Sequence, residues 1–113
     1  MDWTNPLTEK RCRPCEGGVA PFKDEEIRIG LSLVPGWALA GGKIERKFGF
    51  RYYDQTLEFV NAVADLAKQE DHHPEISFGY KACTVRYWTH AIVGLSENDF
   101  ICAAKVNQMP GPV

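Results

Sequence analysis

The chain of 113 residues holds three histidines, and all of them fall within one short stretch: His72 and His73 are adjacent, and His90 follows. Imidazole is the side chain whose ordinary pKa, about 6.5, lets it release and accept protons near neutral pH, so grouped imidazoles suit acid–base catalysis. Taken alone, the cluster is open to two further readings. His72 and His73 would also serve as a helix terminus, placed favourably against the negative end of the helix dipole, with His90 on the surface. A zinc site is the third reading, but ligand pairs favour His-x-His or His-x-x-x-His spacing, and no flanking Cys or His completes a set.

The neighbouring residues are equally two-sided. Pro74 locks its own φ and biases His73 away from helical geometry, although a plain helix stop explains it as well. Asp99 stands third after Ser96, where a carboxylate stabilises a helix N-terminus by about 0.3–1 kcal/mol. Tyr80 is either the wall of a pocket or a core aromatic in an alternating strand. Cys12-x2-Cys15 is a single pair without a second one, so it is either a zinc or redox pair or part of an inert arm.

The elements that must position these residues follow from periodicity. Residues 1–21 mix charges with Pro6, Pro14, Pro21, Gly17 and Gly18 and show no useful period, which predicts an irregular arm. Asp24 caps a helix carrying Ile27, Leu31 and Val34, stopped by Pro35-Gly36. Trp37 to Phe50 reads as a hairpin turning at Gly41-Gly42, with Ile44, Phe48 and Phe50 in alternate positions. Asp54 caps a second helix with an apolar stripe of Leu57, Val60, Val63, Leu66 and Ala67, running to about residue 70.

After Pro74, Ile76, Phe78 and Tyr80 alternate, and a further strand from about Ala82 puts Thr84, Arg86, Trp88 and His90 opposite Cys83, Val85 and Tyr87. Ser96-Glu97-Asn98-Asp99 opens a last helix. The order α-β-β-α-β-β-α predicts an α+β fold, a four-stranded antiparallel sheet with three helices packed on one face. The folded domain spans 22–109, with 110–113 as a tail. The other sheet face is either polar or covered by a partner.

Thirteen Lys and Arg against fifteen Asp and Glu, with no basic face, argue against nucleic-acid binding. No apolar run reaches signal-peptide length or the roughly 18 residues of a membrane span, so a cytoplasmic location, or an organellar one after processing, and no membrane partner are expected. In that compartment the four cysteines are reduced, with Cys83 and Cys102 as small core residues. A small open sheet exposes strand edges, and a homodimer or homotetramer is expected.

The run Lys68-x3-His72-His73-Pro74-x5-Tyr80-x9-His90-x8-Asp99, with Trp88-Thr89-His90 and Gly94-Leu95-Ser96-Glu97-Asn98-Asp99-Phe100, resembles the pterin-4a-carbinolamine dehydratases. That resemblance implies dehydration of a 4a-hydroxytetrahydropterin to the quinonoid dihydropterin, which recycles tetrahydrobiopterin, with no metal and no cofactor. It implies His72 as acid at the hydroxyl, His90 as its partner across the ring, and His73 as the residue that orients the pterin or accepts the N5 proton. Asp71, Pro74, Thr89 and Asp99 are the substrate-binding positions it suggests.

One position departs from the active members, which usually carry an acid where this chain has Lys68. On a continuous helix Lys68 would face His72 and disfavour the imidazolium. The family also includes dehydratase-like proteins that assist RuBisCO assembly in plastids and carboxysome-bearing bacteria. Their Trp-Thr-His and Glu-Asn-Asp-Phe segments and paired-cysteine arm are similar to this chain. That resemblance implies an alternative role, a RuBisCO large-subunit partner associated with the carboxysome. A dimerisation cofactor of a transcription factor is a further activity known in the family.

Overall fold

The computed structural model describes residues 2–14 and 19–109. Among them, three α-helices and four strands follow in the expected order: α1 (Asp24–Ser32), β1 (Ala38–Ala40), β2 (Lys43–Gly49), α2 (Tyr53–Glu70), β3 (Glu75–Phe78), β4 (Ala82–Tyr87) and α3 (Glu97–Asn107). Short 3-10 turns lie at Leu7–Glu9 and His90–Ile92.

The sheet is antiparallel in the order β1-β2-β4-β3. Gly41 and Gly42 turn the first hairpin with φ of 59° and 78°, the left-handed geometry that a two-residue hairpin loop demands. Ile44, Phe48, Cys83, Val85 and Tyr87 form the buried face of the sheet and meet Phe59 and Val63 of α2 and Ile101 of α3 in one core. The opposite face is polar: Arg86 lies between Glu45 at 3.5 Å and Glu75 at 3.3 Å, on cross-strand positions set by the register.

Two helix starts differ from expectation, α1 by one residue and α2 by two. Lys23 and Tyr52 are the caps of α1 and α2, so Asp24 and Asp54 lie inside the first turns. In all three helices the third residue bonds back to the cap N–H: Glu26 to Lys23, Gln55 to Tyr52, and Asp99 to Ser96. α1 ends at Ser32, and Val34 is buried just beyond it.

Helix α3 is buried nearly all round, from Asn98 to Ala104 and again at Val106. The sheet and α2 cover one side. The other is covered by α1, where Gly30 admits the Phe100 ring, and by the arm, where Trp3 stands edge-on to Phe100 at 6.0 Å. Leu7 is buried, and Cys12 Sγ lies 3.5 Å from Cys102 Sγ. Cys15 lies outside the described residues. No helix among them is long and apolar enough to cross a membrane.

Candidate active site

The site is built where α2 ends. Glu70 is its last residue, and Asp71 adopts the left-handed conformation (φ 51°) that terminates many helices. The chain turns so that the His72 N–H donates to the Ala67 carbonyl at 3.2 Å. This reversal sends His72 inward, where it is 8% exposed, and leaves His73 on the surface.

The inward imidazole lies 5.9 Å from the Tyr87 ring and nearly parallel to it. Its Nε2 is 2.7 Å from Oδ1 of Asp99, which is fully buried. Oδ2 of Asp99 accepts from the Ser96 N–H and from the Thr89 hydroxyl, both at 2.9 Å. The Thr89 proton being used there, the Ser96 hydroxyl donates to Thr89 Oγ1 at 2.7 Å.

An ionised carboxylate only accepts, so Nε2 of His72 carries a proton and Nδ1 is the variable nitrogen. Among the described residues the only buried side-chain polar atom without a partner is the Tyr87 hydroxyl. Nδ1 of His72 has no hydrogen-bond partner among the described residues and is not sealed, on a ring that lines the cleft. Asp99 both caps α3 and orients His72.

Strand β4 stops at Tyr87, earlier than the alternation through Trp88 and His90 suggests. Thr89 then pairs with Gly94, closing a loop in which His90 begins a 3-10 turn. His90 packs on Trp88 at 4.2 Å, and Lys43 Nζ lies 4.0 Å above the other ring.

A cleft of about 260 Å³ is lined by His72, His73, His90, Asp71 and Thr89, with Arg13, Pro14, Ala91 and Asn98 completing its walls. The structure thus brings the three histidines to one concavity. Asp99 lies beneath it, and Pro74 is half-buried outside it. Tyr80 is exposed, stacks on Tyr53 at 5.9 Å, and belongs neither to the cleft nor to the core. Lys68 is exposed on the side of α2 opposite the buried stripe, and the left-handed Asp71 breaks the helical relation that would set it over His72.

The arm was not legible as part of the site. Cys12 N–H donates to Glu70 Oε1 at 2.8 Å, and Arg13 N–H donates to Asn98 Oδ1 at 3.0 Å, so the arm forms one wall. Burial alone would raise the Glu70 carboxyl, but the Cys12 N–H, Lys105 at 3.1 Å and Arg11 at 3.0 Å together hold it below its ordinary range. The Cys12 thiol is pushed up by its contact with Cys102 and by burial, which keeps it protonated and weakly nucleophilic. Burial pushes Cys83 up to about 11. Among the described residues no three His, Cys, Asp or Glu side chains converge as a metal would require.

One antiparallel sheet covered by three helices, with a cleft in which three imidazoles meet, defines a small α+β domain with a histidine-lined site. The sequence model for pterin 4 alpha carbinolamine dehydratase matches residues 20–109, and the chain belongs to that family. A Nitrosomonas eutropha protein provisionally named pterin-4-alpha-carbinolamine dehydratase is 56% identical over 91% of this chain and 92% of its own length. A Nitrosospira multiformis relative with the same provisional name is 51% identical over 96% of this chain and 97% of its own. Dehydratases so named are hydro-lyases.

Among solved structures, a transcriptional coactivator/pterin dehydratase from Brucella melitensis is similar at a TM-score of 0.74 and 29% identity, covering 77% of this chain and 95% of that one. A pterin dehydratase-like protein identified as a RuBisCO assembly factor of the alpha-carboxysome is similar at a TM-score of 0.52 and 28% identity, covering 63% and 82%.

Proposed function

We propose that this chain dehydrates a 4a-hydroxytetrahydropterin to the quinonoid dihydropterin. The observation that carries the proposal is His72, held by the buried Asp99 with its second nitrogen open to a cleft shared with His73 and His90. Hydroxide is a poor leaving group until protonated, and the N5 proton must depart as the C4a=N5 bond forms. Protonated His72 donates through both nitrogens, Nε2 to Asp99 and Nδ1 to the C4a hydroxyl. The C–O bond breaks, the N5 lone pair forms the double bond, and water leaves.

His73 accepts the N5 proton or orients the ring, and His90, braced on Trp88, faces the pterin from the other wall. Asp71 and Thr89 line the cleft beside the histidines, and Pro74 holds the backbone that follows His73. One proton is given and one taken, so the cycle needs no metal or redox partner. The same proposal includes cytoplasmic tetrahydrobiopterin recycling and a homodimer or homotetramer, favoured by the free edges of β1 and β3 and by exposed Leu39 and Phe78.

The test is stopped-flow dehydration with His72→Ala and His90→Ala. Each should lower turnover about 10²-fold or more without loss of fold. Wild-type rates in both would refute the catalytic assignment. A second reading, assembly of RuBisCO without catalysis, draws on the similarity to the assembly factor. An inactive chain that binds RuBisCO large subunit would favour it.

A further inference from the structure

The cleft is bounded on one side by the arm, which precedes the residues matched by the family model. Arg13 borders both this cleft and a second cavity of about 550 Å³, whose other lining residues are Asp2, Asn5, Lys10, Arg11 and Glu97. The other charges of the second cavity are engaged. Lys10 pairs with Glu97 at 2.7 Å, Arg11 pairs with Glu70 at 3.0 Å, and the Asp2 carboxylate accepts from the N–H and hydroxyl of Thr4.

Arg13 differs from them. Its N–H donates to Asn98 Oδ1 and its carbonyl accepts from Asn98 Nδ2, so its main chain is clamped. Its guanidinium has no ion pair or hydrogen bond among the described residues. A fixed backbone with a free charged head lowers the ordering cost of binding, and the guanidinium fork matches the oxygens of a phosphate.

We propose that Arg13 binds an anionic group, a phosphate monoester above all, at the end of the side chain of a pterin whose ring lies among the histidines. This rests on the pterin reading above. The histidine cleft alone is at the small end of ligand sites, and the cavity that shares Arg13 provides room for a substituent. The charges around that cavity, Lys10, Arg11 and Arg13 against Asp2 and Glu97, leave an excess of one positive. The arm, and not the common domain, would then select among pterins.

The experiment is a fluorescence titration of the full chain with neopterin and with neopterin monophosphate at low ionic strength. For wild type the monophosphate should bind about fivefold to tenfold more tightly, the range expected of one partly exposed charge-assisted contact. That ratio should fall towards one in Arg13→Ala, survive in part in Arg13→Lys, and shrink with added salt. Inorganic phosphate should compete with the monophosphate and not with neopterin. Equal affinities in wild type, or an undiminished ratio in Arg13→Ala, would overturn the Arg13 assignment while leaving the pterin site standing. Failure of neopterin itself to bind would overturn both.

Discussion

Replacing Asp99 by asparagine separates orientation of His72 from the mere presence of an imidazole. Asparagine keeps the size of the side chain but turns one acceptor into a donor. The Ser96 N–H, 2.9 Å from Oδ2, is a main-chain donor fixed by the cap of α3, so the amide oxygen must face it. The amide NH₂ then faces His72, which must present Nε2 as an acceptor and carry its proton on Nδ1. The imidazolium that donates to the C4a hydroxyl would set its Nε2–H against the amide NH₂ and lose the charged hydrogen bond to residue 99.

A hydrogen bond to a charged group contributes about 1.5–3 kcal/mol, and its loss from the transition state lowers turnover roughly 10- to 150-fold. Stopped-flow measurement of quinonoid dihydropterin formation supplies the rate, and the ring ¹⁵N shifts of His72 report the tautomer. A purely structural role for Asp99 would lower the melting temperature without exchanging the protonated nitrogen. Turnover within twofold of wild type in a variant whose shifts show the exchanged tautomer would refute the reasoning.

Three further outcomes follow from the same geometry. Lys68→Glu should change turnover by less than about twofold, because an exposed charge beyond a broken helical turn is screened; a large gain would mean that residue 68 reaches His72. Glu70→Gln should destabilise the fold by about 1.5–3 kcal/mol at neutral pH by loosening the arm. Because the folded carboxyl lies below its ordinary value of 4.5, that contribution is complete above 4.5 and is lost as pH falls through the folded value. The melting temperatures of wild type and variant should therefore converge in acid, and a constant gap would count against it. Val93, exposed at φ 48°, strains a β-branched residue, and Val93→Gly should raise stability by about 0.5–1 kcal/mol, read by thermal melting.

Periodicity carried the sheet and helices because each has one buried face: Val63, Leu66 and Ala67 on α2, and Cys83, Val85 and Tyr87 on β4. It misled at Trp88 and His90, where alternation continues past the point at which the Thr89–Gly94 pair closes a loop. Tyr80 continued an alternation in the same way beyond the end of β3. The histidine cluster was legible from residue type and proximity, but the choice for Asp99 between cap and site was not, since the two oxygens do both. The arm was hidden because charges and prolines carry no period. Its signal lay in α3, where Phe100-Ile101-Cys102-Ala103-Ala104 leaves no polar side and so requires cover from two directions.

The left-handed Asp71 makes adjacent histidines unlike reagents. An acylating probe such as diethyl pyrocarbonate meets His73 as an open imidazole and His72 as one already hydrogen-bonded and nearly sealed. Chemical modification of this chain would therefore be biphasic, and a rapid first phase would not report on the buried member of the pair. Activity that outlasted that phase would count against roles for the exposed His73 and His90 and would say nothing of His72.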